Sequence, residues 1–307
     1  MTDDERYMSR CIQLAKNGRQ NAAPNPMVGA VVVCDGRIIG EGYHVRCGEG
    51  HAEVNALASV RPEDEHLLPQ STIYVSLEPC SHYGKTPPCA ALIVRKGLRR
   101  CVVGTQDPFA QVQGRGIQRL RDAGVEVTVG VLEDECRQLN RRFFTFHQQQ
   151  RPFITLKWAQ TSDGWIGTVS GPLRISNDFT QMLCHKRRAE HDAILVGRRT
   201  WELDHPRLDV RKWVGSNPRR YVLSHESGQL QELLRKMWTE GVQSLLVEGG
   251  CQTLQSFIDA GLWDEAYVET SPMTLNAEGT HAPKLHHAFL HATDYYGNHR
   301  VEQWKKA

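Results

Sequence analysis

Metal-binding residue types occur in an order that could build a catalytic centre: His51 in His51-Ala52-Glu53, then Cys80 behind Pro79, then Cys89. One imidazole and two thiolates leave the fourth position of a tetrahedral zinc ion open to water, as catalytic zinc requires, whereas a structural site wants a fourth protein ligand. Glu53, two residues after the histidine, is near enough to reach that water without being a ligand. Zinc would lower the pKa of the water, and a carboxylate could carry its protons to a ring nitrogen and a leaving amine. The set therefore predicts hydrolysis of an exocyclic amine, with a ring carbonyl and ammonia as products. A structural zinc site completed by His82 or His44 draws on the same residues and stays open here.

Elements that position these residues are legible around them. Thr2 and Glu5 form a capping-box pattern ahead of a helix running to about Gly18. Asp35-Gly36 joins two β-rich runs, 28–34 and 37–43, as a hairpin. A helix is predicted over 52–60, a strand over 72–77 and a helix opening at Pro87-Pro88, so His51 and Cys89 both lie at helix N-termini, where the dipole favours a thiolate. Strands at 101–104 and 125–129 flank a helix at 117–123, and this alternation implies a layered α/β sheet. The pattern breaks in a glutamine-rich stretch within 143–151, taken as the domain boundary. Beyond it come a strand at 153–158, buried strands at 193–197 and 244–248, and helices near 179–191, 229–240 and 253–260.

His-x-Glu followed by Pro-Cys…Cys is the zinc-deaminase signature, whose cysteines normally have two residues between them. Here eight residues separate Cys80 from Cys89. That longer loop, with Pro24-Asn25-Pro26, Val28-Gly29 and Gly40-Glu41-Gly42-Tyr43-His44, resembles the pyrimidine deaminases of riboflavin biosynthesis. The resemblance implies a cytidine-deaminase-like three-layer α/β/α domain over residues 1–146, with Glu53 catalytic and His51, Cys80 and Cys89 holding Zn²⁺.

In the second half, Arg188 and Arg211 could clamp a sugar phosphate or stand as solvated charges. Gly249-Gly250 after a strand could approach a phosphate or be a tight connection. The segments Leu156-Lys157-Trp158-Ala159, Arg188 to Gly197, Thr200 with Asp204, Pro206, Leu208 and Arg211, and Val247-Glu248-Gly249-Gly250 resemble the bifunctional riboflavin enzymes that fuse a deaminase to a ribosylaminouracil reductase. This implies a dihydrofolate-reductase-like α/β domain over residues 151–307. NADPH would contact Ala159, Thr200, Asp204 and the turn Gly250, Cys251, Gln252, Thr253, Leu254, Gln255 and Ser256. Arg188, Leu208, Arg211 and Glu248 would line the substrate site. The implied chemistry is deamination of a diaminopyrimidinone ribosylamino phosphate, then reduction of its ribosyl group to a ribityl chain.

The chain departs from the family at Trp165, where a basic residue is usual, at Gly171-Pro172-Leu173-Arg174-Ile175-Ser176, near the usual Ser-x-Trp segment, and between Tyr221-Val222-Leu223 and Ser244, where it is shorter. A deaminase with a degenerate reductase domain is thus one alternative. A tRNA or nucleotide deaminase and a non-catalytic zinc-containing metabolite-binding protein are others. Composition narrows them: 307 residues suffice for two cores, and a net charge of +2 supplies no basic field for nucleic acid. The acidic start Thr2-Asp3-Asp4-Glu5 and the lack of a run of ~20 apolar residues predict neither a secretory signal nor a membrane span. The nine cysteines, from Cys11 to Cys251, lack the density of a disulfide scaffold. A cytoplasmic homo-oligomer acting on a small pyrimidine ribosyl phosphate is expected.

Overall fold

The computed structural model describes residues 1–81, 87–109, 113–168, 173–224, 228–275 and 278–307. His82, and Gly171 and Pro172 of the Gly171–Ser176 segment, lie outside the described residues. The chain divides into two compact units, Met1–Gln149 and Gln150–Ala307.

Helix α1 (Asp3–Ala15) opens on the capping box: the Glu5 amide donates to the Thr2 hydroxyl at 3.2 Å and the Thr2 amide to the Glu5 carboxylate at 2.7 Å. Strands β1 (Gly29–Cys34) and β2 (Arg37–Tyr43) form the hairpin, with φ of 46° at Asp35 and 77° at Gly36, the paired positive values of a type I′ turn. Helix α2 (Ala52–Ala58) and strand β3 (Thr72–Leu77) follow, then α3 (Cys89–Arg95), β4 (Arg100–Thr105), α4 (Arg115–Asp122), β5 (Glu126–Val129), α5 (Glu133–Leu139) and α6 (Arg141–Gln149).

Among the described residues these strands make one sheet in the order β2-β1-β3-β4-β5, antiparallel across β2-β1-β3 and parallel across β3-β4-β5. Both faces are covered, so β1 is apolar throughout and β3 and β4 are largely so. Ala30, Val32 and Cys34 of β1 pack with Ala56, Ile93, Ile117 and Leu120 of α2, α3 and α4 on one face. Val31 and Val33 pack with Tyr7, Met8 and Cys11 of α1 and Cys136 of α5 on the other. This is the three-layer α/β/α arrangement. The stretch expected to break the pattern is instead α6: Phe144 is buried beneath the Arg137 guanidinium, and the chain leaves the helix only at Gln150, with φ of 53°. The glutamines conceal an apolar face that Phe143 and Phe144 supply.

The second unit contains β6 (Phe153–Gln160), β7 (Trp165–Thr168), α7 (Asp178–Ala189), β8 (Ala193–Gly197), α8 (Arg198–Asp204), β9 (Arg219–Leu223), α9 (Leu230–Thr239), β10 (Ser244–Val247), α10 (Cys251–Asp259), β11 (Glu265–Thr270), β12 (Gly279–His281), β13 (Ala288–Tyr296) and β14 (His299–Lys306). Its main sheet runs β13-β14-β11-β6-β10-β8-β9, parallel from β11 to β9 and antiparallel in the β13-β14-β11 wing. Leu156, Leu195 and Val247 of its strands pack with Leu234 and Met237 of α9 and Leu254 and Phe257 of α10. Strand β9 lies at the edge, where the exposed Arg219 and Arg220 keep unpaired backbone from recruiting another strand.

Asp4 ties α1 to the first sheet, accepting from Arg100 Nη1 at 2.9 Å and Nη2 at 2.7 Å and from the Tyr74 hydroxyl at 2.8 Å. The hydrogen-bonded Arg100 guanidinium holds its carboxyl below the usual aspartate range against the effect of burial. With a depressed native pKa, the stability this group contributes is complete above the unfolded value of about 3.9 and is lost as pH falls through the native value. Asp4→Asn should cost about 1 kcal/mol at pH 7 in urea unfolding of the first unit, and the gap to the parent should close below about pH 4.

Candidate active sites

Histidine 51 is the N-cap of α2, and the placement of that helix rests on two glycines. A Cβ on Gly40 would lie 2.4 Å from the Ala56 carbonyl oxygen, and one on Gly42 would lie 2.4 Å from the Ala56 nitrogen. Only bare backbone lets α2 sit directly on β2. Asn55 fastens the same turn, donating to the Tyr43 carbonyl at 2.8 Å and the Gly50 carbonyl at 3.2 Å. Cys80 follows the end of β3, and Cys89 is the first residue of α3, with Pro88 as its N-cap. The Ala90 amide donates to the Cys80 carbonyl at 3.2 Å and the Cys89 amide to Cys80 Sγ at 3.3 Å, so the helix start and the strand end hold each other.

These elements converge three donor atoms. His51 Nδ1 lies 3.5 Å from Cys80 Sγ and 3.4 Å from Cys89 Sγ, and all three ligand atoms fall within 4.8 Å of one another. A tetrahedron built with ~2.0 Å Zn–N and ~2.3 Å Zn–S bonds has an N–S edge of about 3.5 Å, so the set fits zinc in size as well as in chemistry. The Cys89 thiol and the His51 ring hold the Cys80 sulfur far below the usual thiol range, at about 4, while that neighbouring sulfur and burial push Cys89 up.

Glu53, in the first turn of α2, is 3 % exposed. Burial, reinforced by the Cys80 sulfur, pushes its carboxyl up to about 7. A group titrating there can both take and return a proton at neutral pH. His44 packs edge-on against His51, with ring centroids 5.4 Å apart. Its Nδ1 is 3.1 Å from the Gly50 carbonyl and must donate to it, which leaves Nε2 to accept from Asn25 Nδ2 at 3.1 Å. His44 thus faces the Gly50 turn as a neutral ring, and burial holds its pKa below the histidine norm. Glu78, just before Pro79, is a buried carboxylate that residue types did not single out; its only sequence signal is an acid at the end of an apolar strand.

In the second unit, β8 and β10 are parallel neighbours, and α8 and α10 start just past their carboxyl ends. In open α/β sheets this is where ligand crevices form. The Gly250 amide, at the N-cap of α10, donates to the Thr200 hydroxyl at 3.2 Å, which brings two of the residues expected at the cofactor together. Ala159 lies on β6 opposite Glu269 of β11. Asp204, the last residue of α8, is exposed and has no hydrogen bond or ion pair among the described residues.

Arg188 is no open clamp. Its Nε and Nη2 donate to the two Glu248 oxygens at 3.0 and 2.6 Å, and its Nη1 donates to the Asp209 carbonyl at 3.2 Å. Arg188 outweighs the effect of burial and holds the Glu248 carboxyl below the glutamate range. Arg211 pairs with Asp209, which also takes Arg207 at 3.0 Å. Leu208 is buried beside them with φ of 48°. Arg188, Leu208, Arg211 and Glu248 therefore form one cluster around Asp209, in which each of the two guanidinium groups already has a carboxylate partner.

Comparison with known proteins agrees with both halves. Residues 1–105 match the cytidine and deoxycytidylate deaminase zinc-binding region, and residues 152–229 and 227–285 match the RibD C-terminal domain. The second match comes in two pieces that meet beside the short 224–229 connection between β9 and α9. The chain is 38% identical over 313 residues to the riboflavin biosynthesis protein RibD of Aquifex aeolicus, covering 88% of this chain and 87% of that one. It is 34% identical to RibD of Bacillus amyloliquefaciens, covering 92% and 87%. It is similar in structure to the diaminohydroxyphosphoribosylaminopyrimidine deaminase/5-amino-6-(5-phosphoribosylamino)uracil reductase of Thermotoga maritima, with a TM-score of 0.88, 32% identity and 99% coverage of each chain. With a zinc-binding deaminase domain followed by a reductase domain that uses NADPH, the chain belongs to the RibD family of riboflavin biosynthesis proteins.

Proposed function

We propose that the first unit deaminates 2,5-diamino-6-ribosylamino-4(3H)-pyrimidinone 5′-phosphate and that the second reduces the ribosyl group of the product to a ribityl chain. The observation that carries this reading is the convergence of His51, Cys80 and Cys89 with the buried Glu53 beside them. Bound by the three donors, zinc supplies the Lewis acidity that makes water a nucleophile near neutral pH. Glu53 takes the proton of the attacking water and returns protons to the ring nitrogen and the departing amine, a role that its carboxyl, titrating at about 7, suits. The deaminase domain spans residues 1–146 and the reductase domain residues 151–307.

In the second unit NADPH supplies a hydride. Thr200 and the start of α10, from its N-cap Gly250 to Ser256, hold the dinucleotide; this stretch is helix where a turn was expected, and Leu254 faces the core. Ala159 and Asp204 are further contacts. Glu248, oriented by Arg188, faces the ribosyl group along with Leu208 and Arg211. The shorter chain between β9 and α9 leaves β8 and β10 paired in parallel, which favours a working reductase over a degenerate one. No helix among the described residues is long and apolar enough to cross a membrane. Our reading includes a cytoplasmic homo-oligomer, which sedimentation would test.

With purified zinc-loaded protein and the diaminopyrimidinone phosphate, ammonia release should be followed by NADPH oxidation in equal amount. Ammonia without NADPH oxidation would leave a deaminase alone, and no ammonia would remove the reading. Glu53→Gln should retain zinc and thermal stability while ammonia release falls by roughly 10²- to 10⁴-fold. Cys80→Ser, Cys89→Ser and His51→Ala should each lose stoichiometric zinc by elemental analysis. They should also forfeit the zinc-linked stability of the first unit, about 2.7 kcal/mol at zinc 100-fold above its Kd. Full zinc retention in any of the three would remove that residue from the ligand set.

A further inference from the structure

The Glu78 carboxylate, 4 % exposed, accepts four backbone amides and no side chain among the described residues. Oε1 takes Gly116 N at 2.9 Å and Ile117 N at 3.3 Å, and Oε2 takes Gly114 N at 2.9 Å and Asp107 N at 3.3 Å. Those donors belong to the loop after β4 and the first turns of α4. The Glu78 amide donates in turn to the Thr105 carbonyl at 2.9 Å. Pro79 is pinned as well: a Cβ on Gly116 would lie 1.9 Å from the Pro79 carbonyl oxygen, so the helix start lies flush against it. The next residue is Cys80.

We infer that Glu78 is a positioning residue of the deaminase centre, its amide cradle fixing where the Cys80 sulfur stands before any metal arrives. The inference rests on Cys80 being a zinc ligand. A flexible strand end would let Cys80 swing away from His51 and Cys89. Bonds on both sides of the Glu78-Pro79 unit, to β4 behind and to α4 in front, remove that freedom. Four amides on two oxygens is also a pattern only a carboxylate satisfies. A carboxamide offers one oxygen and would aim its own N–H groups at two backbone donors.

Glu78→Gln and zinc competition with a chromophoric chelator provide the test. Groups that orient ligands from behind typically change metal affinity by about 10- to 100-fold, so zinc affinity should fall by that amount and the thiolate-to-metal bands of the cobalt-loaded protein should shift. The turnover number should drop more than the Michaelis constant rises. An unchanged zinc affinity and cobalt spectrum would overturn the inference, even if the variant were less stable. In case the variant does not fold, hydrogen exchange on the parent gives a second measurement. The amides of Asp107, Gly114, Gly116 and Ile117 should stay protected after zinc is removed. Protection that appears only with zinc would mean that the metal organises the loop, and the inference would fail. Stoichiometric zinc in Cys80→Ser would instead remove the ligand assignment beneath it, a distinguishable result.

Discussion

Everything in the first unit follows from one close approach, the backbone of α2 lying directly on β2 where Gly40 and Gly42 carry no side chains. That contact fixes where α2 lies on the sheet, and His51, its N-cap, is fixed with it. On the neighbouring part of the sheet, β3 ends at Leu77 and α3 begins at Cys89, and the long loop between them returns the second sulfur to the first. The Cys89 amide at the α3 start donates to Cys80 Sγ and supplies polarity that a thiolate needs in a mostly apolar setting. Backbone packing sets the geometry of the donors, and the donors then define the chemistry.

The second unit solves a different problem, because its sheet is open. Parallel strands from β11 to β9 leave helix starts clustered at their carboxyl ends, and the Thr200 to Gly250 hydrogen bond ties two of them. Opposite charges are neutralised before any ligand binds: the Arg188 to Glu248 pair is nine-tenths buried on the Glu248 side and bidentate. Such a pair contributes less to stability than to fixing an orientation, since desolvation offsets much of its attraction. The cluster around Asp209 is thus a set of side chains held in fixed directions.

Much of this was legible in residue types and spacing. His51, Glu53, Cys80 and Cys89 stand out because few other residues do such chemistry, and the hairpin at Asp35-Gly36 because few other dipeptides tolerate two positive φ angles. Apolar runs such as those in β8 and β10 betray strands buried on both faces. Other features were not legible. Helix α6 was hidden by its glutamines, since one buried Phe144 suffices to seat a short helix. The β13-β14 wing was missed because β13 is exposed along most of its length and carries no clear alternation. Glu78 was missed because its partners are backbone amides nearly thirty or more residues away, which have no sequence signature. The engagement of Arg188 by Glu248 likewise depends on a contact across sixty positions.

The uneven burial of the cysteines has a consequence for how the chain meets oxidants and electrophiles. Burial pushes the thiols of Cys11, Cys101 and Cys136 above their ordinary range, so almost no thiolate is available there. Cys80 is the opposite case: partly exposed and held low by the Cys89 thiol and the His51 ring, it joins the exposed Cys47 among the thiols that a reagent can reach in the metal-free protein. Occupancy of the site therefore doubles as chemical protection. A chain that loses its ion becomes vulnerable at the residue needed to take it back, so damage by alkylation or oxidation would accumulate in the metal-free fraction and spare the loaded one.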